Sequence, residues 1–151
     1  MTKNTDEQQY LVYAWERCLR RRFRKYDLNP KLDLATSKSL VINNLKKFGV
    51  GSPSFILRDG RGTRRPFAGY NIINLPVFSR SPLRILHEVT HMLQCRLSID
   101  GEWHGGEFVR LFANLVHQNV GVKEEAVVSS AKYFGIKVES KKKVAQLCNI
   151  N

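Results

Sequence analysis

Apolar residues recur at helical spacing near the start of the chain. Leu11, Ala14, Trp15, Cys18 and Leu19 follow the i, i+3, i+4, i+7, i+8 pattern of one helix face, which predicts a helix over residues 5 to 26. Thr5 and Gln8 have the spacing of a capping box at its start, and Pro30 lies beyond its end. The opposite face carries Arg17, Arg20, Arg21 and Arg24, with Arg22 and Lys25 at its margins. A second, short helix is expected over residues 36 to 48, stopped by Gly49 and Gly51. "SFILR" then reads as a strand, "DGRGTRRP" as a turn, and "FAGYNIINLPVF" as a second strand, with Pro66 and Pro76 near its limits as an edge strand allows.

Ser81 and Pro82 have the identities of an N-cap and first helical residue, opening a helix from about 82 to 97. Leu83, Ile85, Leu86, Val89, Met92 and Leu93 make that helix apolar on nearly every side, as befits a helix in the middle of a domain. "SIDGEW" is a turn, and two further helices are expected over 105 to 119 and 122 to 134, the latter closed by Gly135. The basic end, residues 137 to 151, reads as a peripheral strand or a loose tail. With no internal repeat and no linker, the pattern predicts one α+β domain over residues 1 to 151: an N-terminal helix, a small antiparallel or mixed sheet, a central helix, and two more helices.

Composition narrows the class. A chain of 151 residues, 42% hydrophobic and 25% charged, has the make-up of a globular domain with its own core. The opening MTKNTDEQQY is polar, and no apolar run approaches the roughly 20 residues of a membrane span, so a cytoplasmic address without a membrane partner is expected. Cys18, Cys95 and Cys148 are scattered and odd in number, which fits reduced thiols rather than a disulfide framework or a cysteine zinc ribbon. Charge changes the picture most. Lys and Arg number 25 against 13 Asp and Glu, a formal net charge of +12. Such an excess favours a polyanionic partner, nucleic acid first among them.

The candidate chemistry lies in "HEVTH", residues 87 to 91. Residues four apart project from one face of a helix, so His87 and His91 can share one ion, while Glu88 can reach a water on it without being a ligand. Two ligands and a general base are the HExxH arrangement of zinc hydrolases. A catalytic zinc takes a third protein ligand. The chain has 4 histidines, and His104 follows His91 after a helix end and a turn; Asp100, Glu102 and Glu107 are the other candidates. Burying His87, Glu88 and His91 among leucines is costly unless something pairs with them, and a Zn2+ ion meets that demand. Tyr70, His117, Tyr133 and the arginines of the 58 to 65 turn are open candidates for an oxyanion donor, and Cys95, one turn beyond His91, is expected to be core.

"HEVTH" followed by "HGGEF" resembles the signature of the SprT-like, Spartan-type zinc metalloproteases, HExxH with a downstream HGxxF. The resemblance covers roughly residues 40 to 120. It implies a minimal zincin-like fold, His87, His91 and His104 as zinc ligands, Glu88 as the catalytic glutamate, and protein substrates held on DNA. Met92 stands where family members often carry Ala, and the C-terminal cysteine ribbon of many members has no counterpart here.

The expectation is therefore a zinc-dependent metallopeptidase acting on DNA-associated proteins, cytoplasmic, and nucleoid-associated or nuclear where it meets DNA. Sequence-nonspecific DNA contacts are assigned to Arg20, Arg21, Arg24, Arg61, Arg64 and Arg65, with Phe23 and Tyr26 as stacking or core residues. A strand at Tyr70 to Leu75 offers an open edge for an extended peptide. Two alternatives stand beside this: a protease with one dedicated protein target such as a repressor, and a nucleic-acid-binding protein whose zinc is structural.

Overall fold

The structure, a computed structural model, describes residues 6–50, 54–62 and 65–148. Among them are six α-helices and a three-stranded mixed sheet, an α+β fold as expected. Its contacts form two units, residues 28–98 and residues 6–27 with 99–148.

In the unit of residues 28–98, α2 runs Leu34–Phe48. It starts two residues earlier than expected because Asp33 caps it: its carboxylate accepts the Thr36 N–H at 2.6 Å, which also holds the Asp33 carboxyl below its ordinary pKa. Gly49, left-handed at φ 60°, closes the helix. Gly51, the other expected stop, lies outside the described residues. The strands are β1 (Ile56–Arg58), β2 (Phe67–Ala68) and β3 (Ile72–Asn74), in the order β1-β3-β2. β1 runs parallel to β3, pairing Ile56 with Ile72, and β2 runs antiparallel to it, pairing Ala68 with Ile73.

Two expectations fail here. The single strand from Phe67 to Phe78 is two short strands, because the chain turns at Gly69, whose N–H reaches the Ile72 carbonyl at 2.8 Å. The segment from Tyr70 to Leu75 is therefore no open edge. Its strand, β3, is paired on both sides, and the edges are β1 and β2.

α3 (Pro82–Arg96) follows a 3-10 turn at Val77–Ser79. Pro82 is its first residue, and Ser81 caps it by position, making no side-chain cap bond. Every residue from Ile85 to Gln94 is buried, and α3 packs on α2, β2 and β3. Arg96 anchors its end by donating to the carbonyls of Tyr70, Val50 and Ser54.

The second unit holds α1 (Gln9–Arg22), α4 (Gly106–Val120), α5 (Glu124–Tyr133) and α6 (Lys141–Leu147). The capping box expected of Thr5 and Gln8 involves Thr5, which lies outside the described residues; Gln8 is the N-cap of α1, and its side chain makes no cap bond. The Gln8 amide is engaged by Lys137 and His104 instead. The buried face of α1 is Val12, Trp15 and Leu19; Leu11 and Cys18 are exposed and Ala14 half-buried. The difference is one residue of register. Leu11 and Val12 are adjacent apolar positions, and the i, i+3, i+7 row through Val12 centres Trp15, whose indole N–H donates to Ser130 Oγ at 2.8 Å. Residues 141–147, expected as strand or tail, form α6, so three helices follow α3 rather than two. Ser140 caps α6 by accepting the Lys143 N–H, and Val144 is its buried contact. Among the described residues no helix is long and apolar enough to cross a membrane.

Candidate metal centre

One turn of α3 supplies the first two candidate ligands. His87 and His91 are buried, and their Nε2 atoms lie 3.1 Å apart. Two ligands on a tetrahedral ion with bonds of about 2.0–2.1 Å stand roughly 3.3 Å from each other, so these two nitrogens are close enough to share one ion. The Nδ1–H of His91 donates to Gln94 Oε1 at 2.9 Å, which leaves the lone pair of that ring on Nε2. Glu88, between them in sequence, is also buried.

His104 comes from the turn before α4 and is 3% exposed. Its Nδ1–H donates to Asp6 Oδ2 at 2.6 Å, and its backbone N–H donates to Asp6 Oδ1 at 3.2 Å. Tyr13 and Phe108 flank the ring, with centroids 5.1 and 5.0 Å away. The two glycines after it have a packing reason. Gly105 is the N-cap of α4, and a Cβ on Gly106 would stand 3.0 Å from the backbone nitrogen of Glu139, whose N–H donates to the Gly106 carbonyl.

One nitrogen from each of His87, His91 and His104 lies within 4.8 Å of the others. Three buried histidines are thus close enough to hold a metal ion, and they are the three the sequence singles out. The donor set fits such an ion: imidazole nitrogens in a sheltered site, with Nδ1 of His91 and of His104 held by hydrogen-bond acceptors as metal-binding histidines require. Of the other candidate ligands, Glu102 accepts the Glu7 N–H, Glu107 pairs with Lys143, and Asp100 is exposed.

Asp6, Gln94 and Tyr13 are not among the residues the sequence singles out. Gln94 carries a local signal, since i+3 from His91 is the same helix face. Asp6 had no local signal, standing 98 positions from its partner. The remaining candidates fall elsewhere. His117 donates its Nδ1–H to the Val122 carbonyl at 2.9 Å and ties α4 to the turn after it. Tyr70 and Tyr133 are exposed, and the half-buried Cys95 has its thiol pKa raised by burial. Of the arginines assigned to DNA, Arg21, Arg24, Arg61 and Arg65 are exposed and Arg20 is half-buried, while Arg64 lies outside the described residues. Arg61 pairs with Asp59 at 3.1 Å.

Comparison of the chain with protein-family models, with curated proteins and with solved structures finds no match.

Proposed function

We propose that this chain is a zinc-dependent peptidase of the HExxH type. The observation that carries the reading is the gathering of His87, His91 and His104 with a buried carboxylate, Glu88, on the helix that bears two of them. Histidine nitrogens suit several first-row metals, and the neighbouring glutamate favours zinc over the rest, because three ligands and a general base define the hydrolytic site. A purely structural site has no use for that base.

His87, His91 and His104 would hold the ion through one nitrogen each. A bound zinc supplies Lewis-acid polarisation of a carbonyl and lowers the pKa of water toward about 7. Glu88 then acts as proton carrier: it takes a proton from water as the new C–O bond forms and delivers it to the amine as the C–N bond breaks. Burial of Glu88 strengthens its interactions, since a low-dielectric setting screens charge less than water does.

Substrates bound to DNA are the second half of the proposal. Arg17 and Arg21 are exposed on the face of α1 opposite Val12, Trp15 and Leu19, and Tyr10 and Tyr13 are exposed on the same helix. Arginines beside exposed aromatics suit phosphates and unpaired bases.

The test pairs metal analysis with proteolysis. The wild-type chain should bind one zinc and cleave unfolded, basic protein substrates. Glu88→Gln should keep the zinc and lose at least about 10²-fold in turnover, the scale of general acid–base catalysis. Full activity in Glu88→Gln sinks the mechanism, and zinc binding without any cleavage by the wild type favours a structural metal instead.

A further inference from the structure

We propose that Asp6 is a positioning residue for the metal centre: its carboxylate selects the tautomer and ring orientation in which His104 presents Nε2 to the ion. The inference rests on the three histidines being metal ligands, and it brings in a residue from the other end of the chain. A neutral imidazole has one N–H and one lone pair, so the nitrogen that donates a hydrogen bond leaves the other as ligand. Asp6 decides which. Its Oδ2 accepts from His104 Nδ1–H at 2.6 Å, at the short end for a bond to a carboxylate, while its Oδ1 accepts from the backbone N–H of the same residue at 3.2 Å. One carboxylate therefore grips both the ring and the main chain of His104.

The two sides of the bond are sheltered, with side-chain exposures of 4% for His104 and 17% for Asp6. Gln8, two residues on, holds the other end of the same residue's main chain by donating to the His104 carbonyl at 2.9 Å. Its amide also donates to the Lys137 carbonyl at 3.1 Å and accepts the Lys137 N–H at 2.9 Å, so the segment is itself pinned.

The need for this clamp follows from where the ligands sit. His91 is inside α3, and its ring partner, Gln94, is three residues along the same helix. His104 precedes the N-cap of α4, in a turn without a helix of its own to set its side chain. The ligand that sits in a turn thus has a charged partner to set its ring. Outer partners of this kind typically change metal affinity by about 10–100-fold.

Zinc and cobalt affinities of the 151-residue chain, measured by competition with a chromophoric chelator, test the idea. Asp6→Ala should weaken binding about 10–100-fold. Asp6→Asn should fall between it and the wild type, because the amide keeps an acceptor without the charge. Glu7→Gln, which removes a neighbouring exposed carboxylate, should change nothing. Long-range nitrogen–proton correlation spectra of the metal-free protein give a second readout that a merely structural role leaves unmoved. His104 should carry its proton on Nδ1 in the wild type and lose that preference in Asp6→Ala, with the circular dichroism of the fold unchanged. If Asp6→Ala does not fold, the same two measurements on Asp6→Asn decide. A wild-type chain that binds no metal defeats the metal-centre reading, and this inference with it. Tight binding by the wild type, loss in His104→Ala, and unchanged affinity and tautomer in the Asp6 variants overturn the role of Asp6 alone.

Discussion

Cys148 shows how far a single side chain departs from its free chemistry. It ends α6, is buried, and burial pushes its thiol from an ordinary 9.0 up to about 11, because the thiolate is the form desolvation penalises. The folded state thus holds this proton more tightly than the unfolded chain does. The stability it contributes is intact below pH 9.0 and is lost as pH rises through about 11. Replacing Cys148 by Ser should flatten the fall in melting temperature across that alkaline window. Alkylation near pH 7.5 should label the exposed Cys18 first; equal rates at Cys18 and Cys148 would contradict the burial. At this same scale the His87–Glu88–His91 part of the candidate site is legible in the sequence. His87, Glu88 and His91 are four or fewer residues apart on one helix, so their geometry is a property of the helix itself. Asp6 obeys no such rule, since its partnership with His104 exists only after the chain has folded back on itself.

Helix by helix, the pattern of apolar positions located α2, α3, α4 and α5 well, because each has a long stripe with a cap or glycine at an end. It misjudged α1 by one register step and took β2 and β3 for one strand. Strands of two or three residues carry too few positions for a period of two to stand out. Trp15 is what decides the face of α1. Its indole meets Phe112 of α4 edge-on at 5.7 Å and Ser130 of α5 by hydrogen bond. Trp15→Ala should therefore cost about 3–5 kcal/mol of unfolding free energy, as for other large aromatic truncations in a core. Trp15→Phe keeps most of the packing and removes the bond, which should cost about 1 kcal/mol, with Ser130 still donating to the Val127 carbonyl. Denaturant midpoints measure both. A loss under about 1 kcal/mol for Trp15→Ala would contradict the burial of this side chain in the core.

Across the whole molecule the excess of positive charge is the property that any polyanion meets first. If four of the exposed arginines, Arg17 and Arg21 among them, contact phosphates, the logarithm of the DNA association constant should fall against the logarithm of salt with a slope of about −3.6 for duplex and about −2.8 for single strands. Anisotropy titrations at several ionic strengths read that slope, and Arg17→Ala with Arg21→Ala should lower it by about two units in duplex. Affinity indifferent to salt would leave the charge a matter of solubility alone. Charge, helix periodicity, the His-Glu-His spacing and the glycines after His104 are all local properties, written in neighbouring letters and hence available before any folding. Other features belong to contacts between distant letters: β3 in the middle of its sheet, the Val12–Trp15–Leu19 face of α1, and the gathering of His104 with His87 and His91. The carboxylate of Asp6 on the His104 ring belongs with them. Periodicity reports which side of an element is apolar but not which distant segment will cover it, and that choice is made by packing and hydrogen bonding when the chain closes on itself.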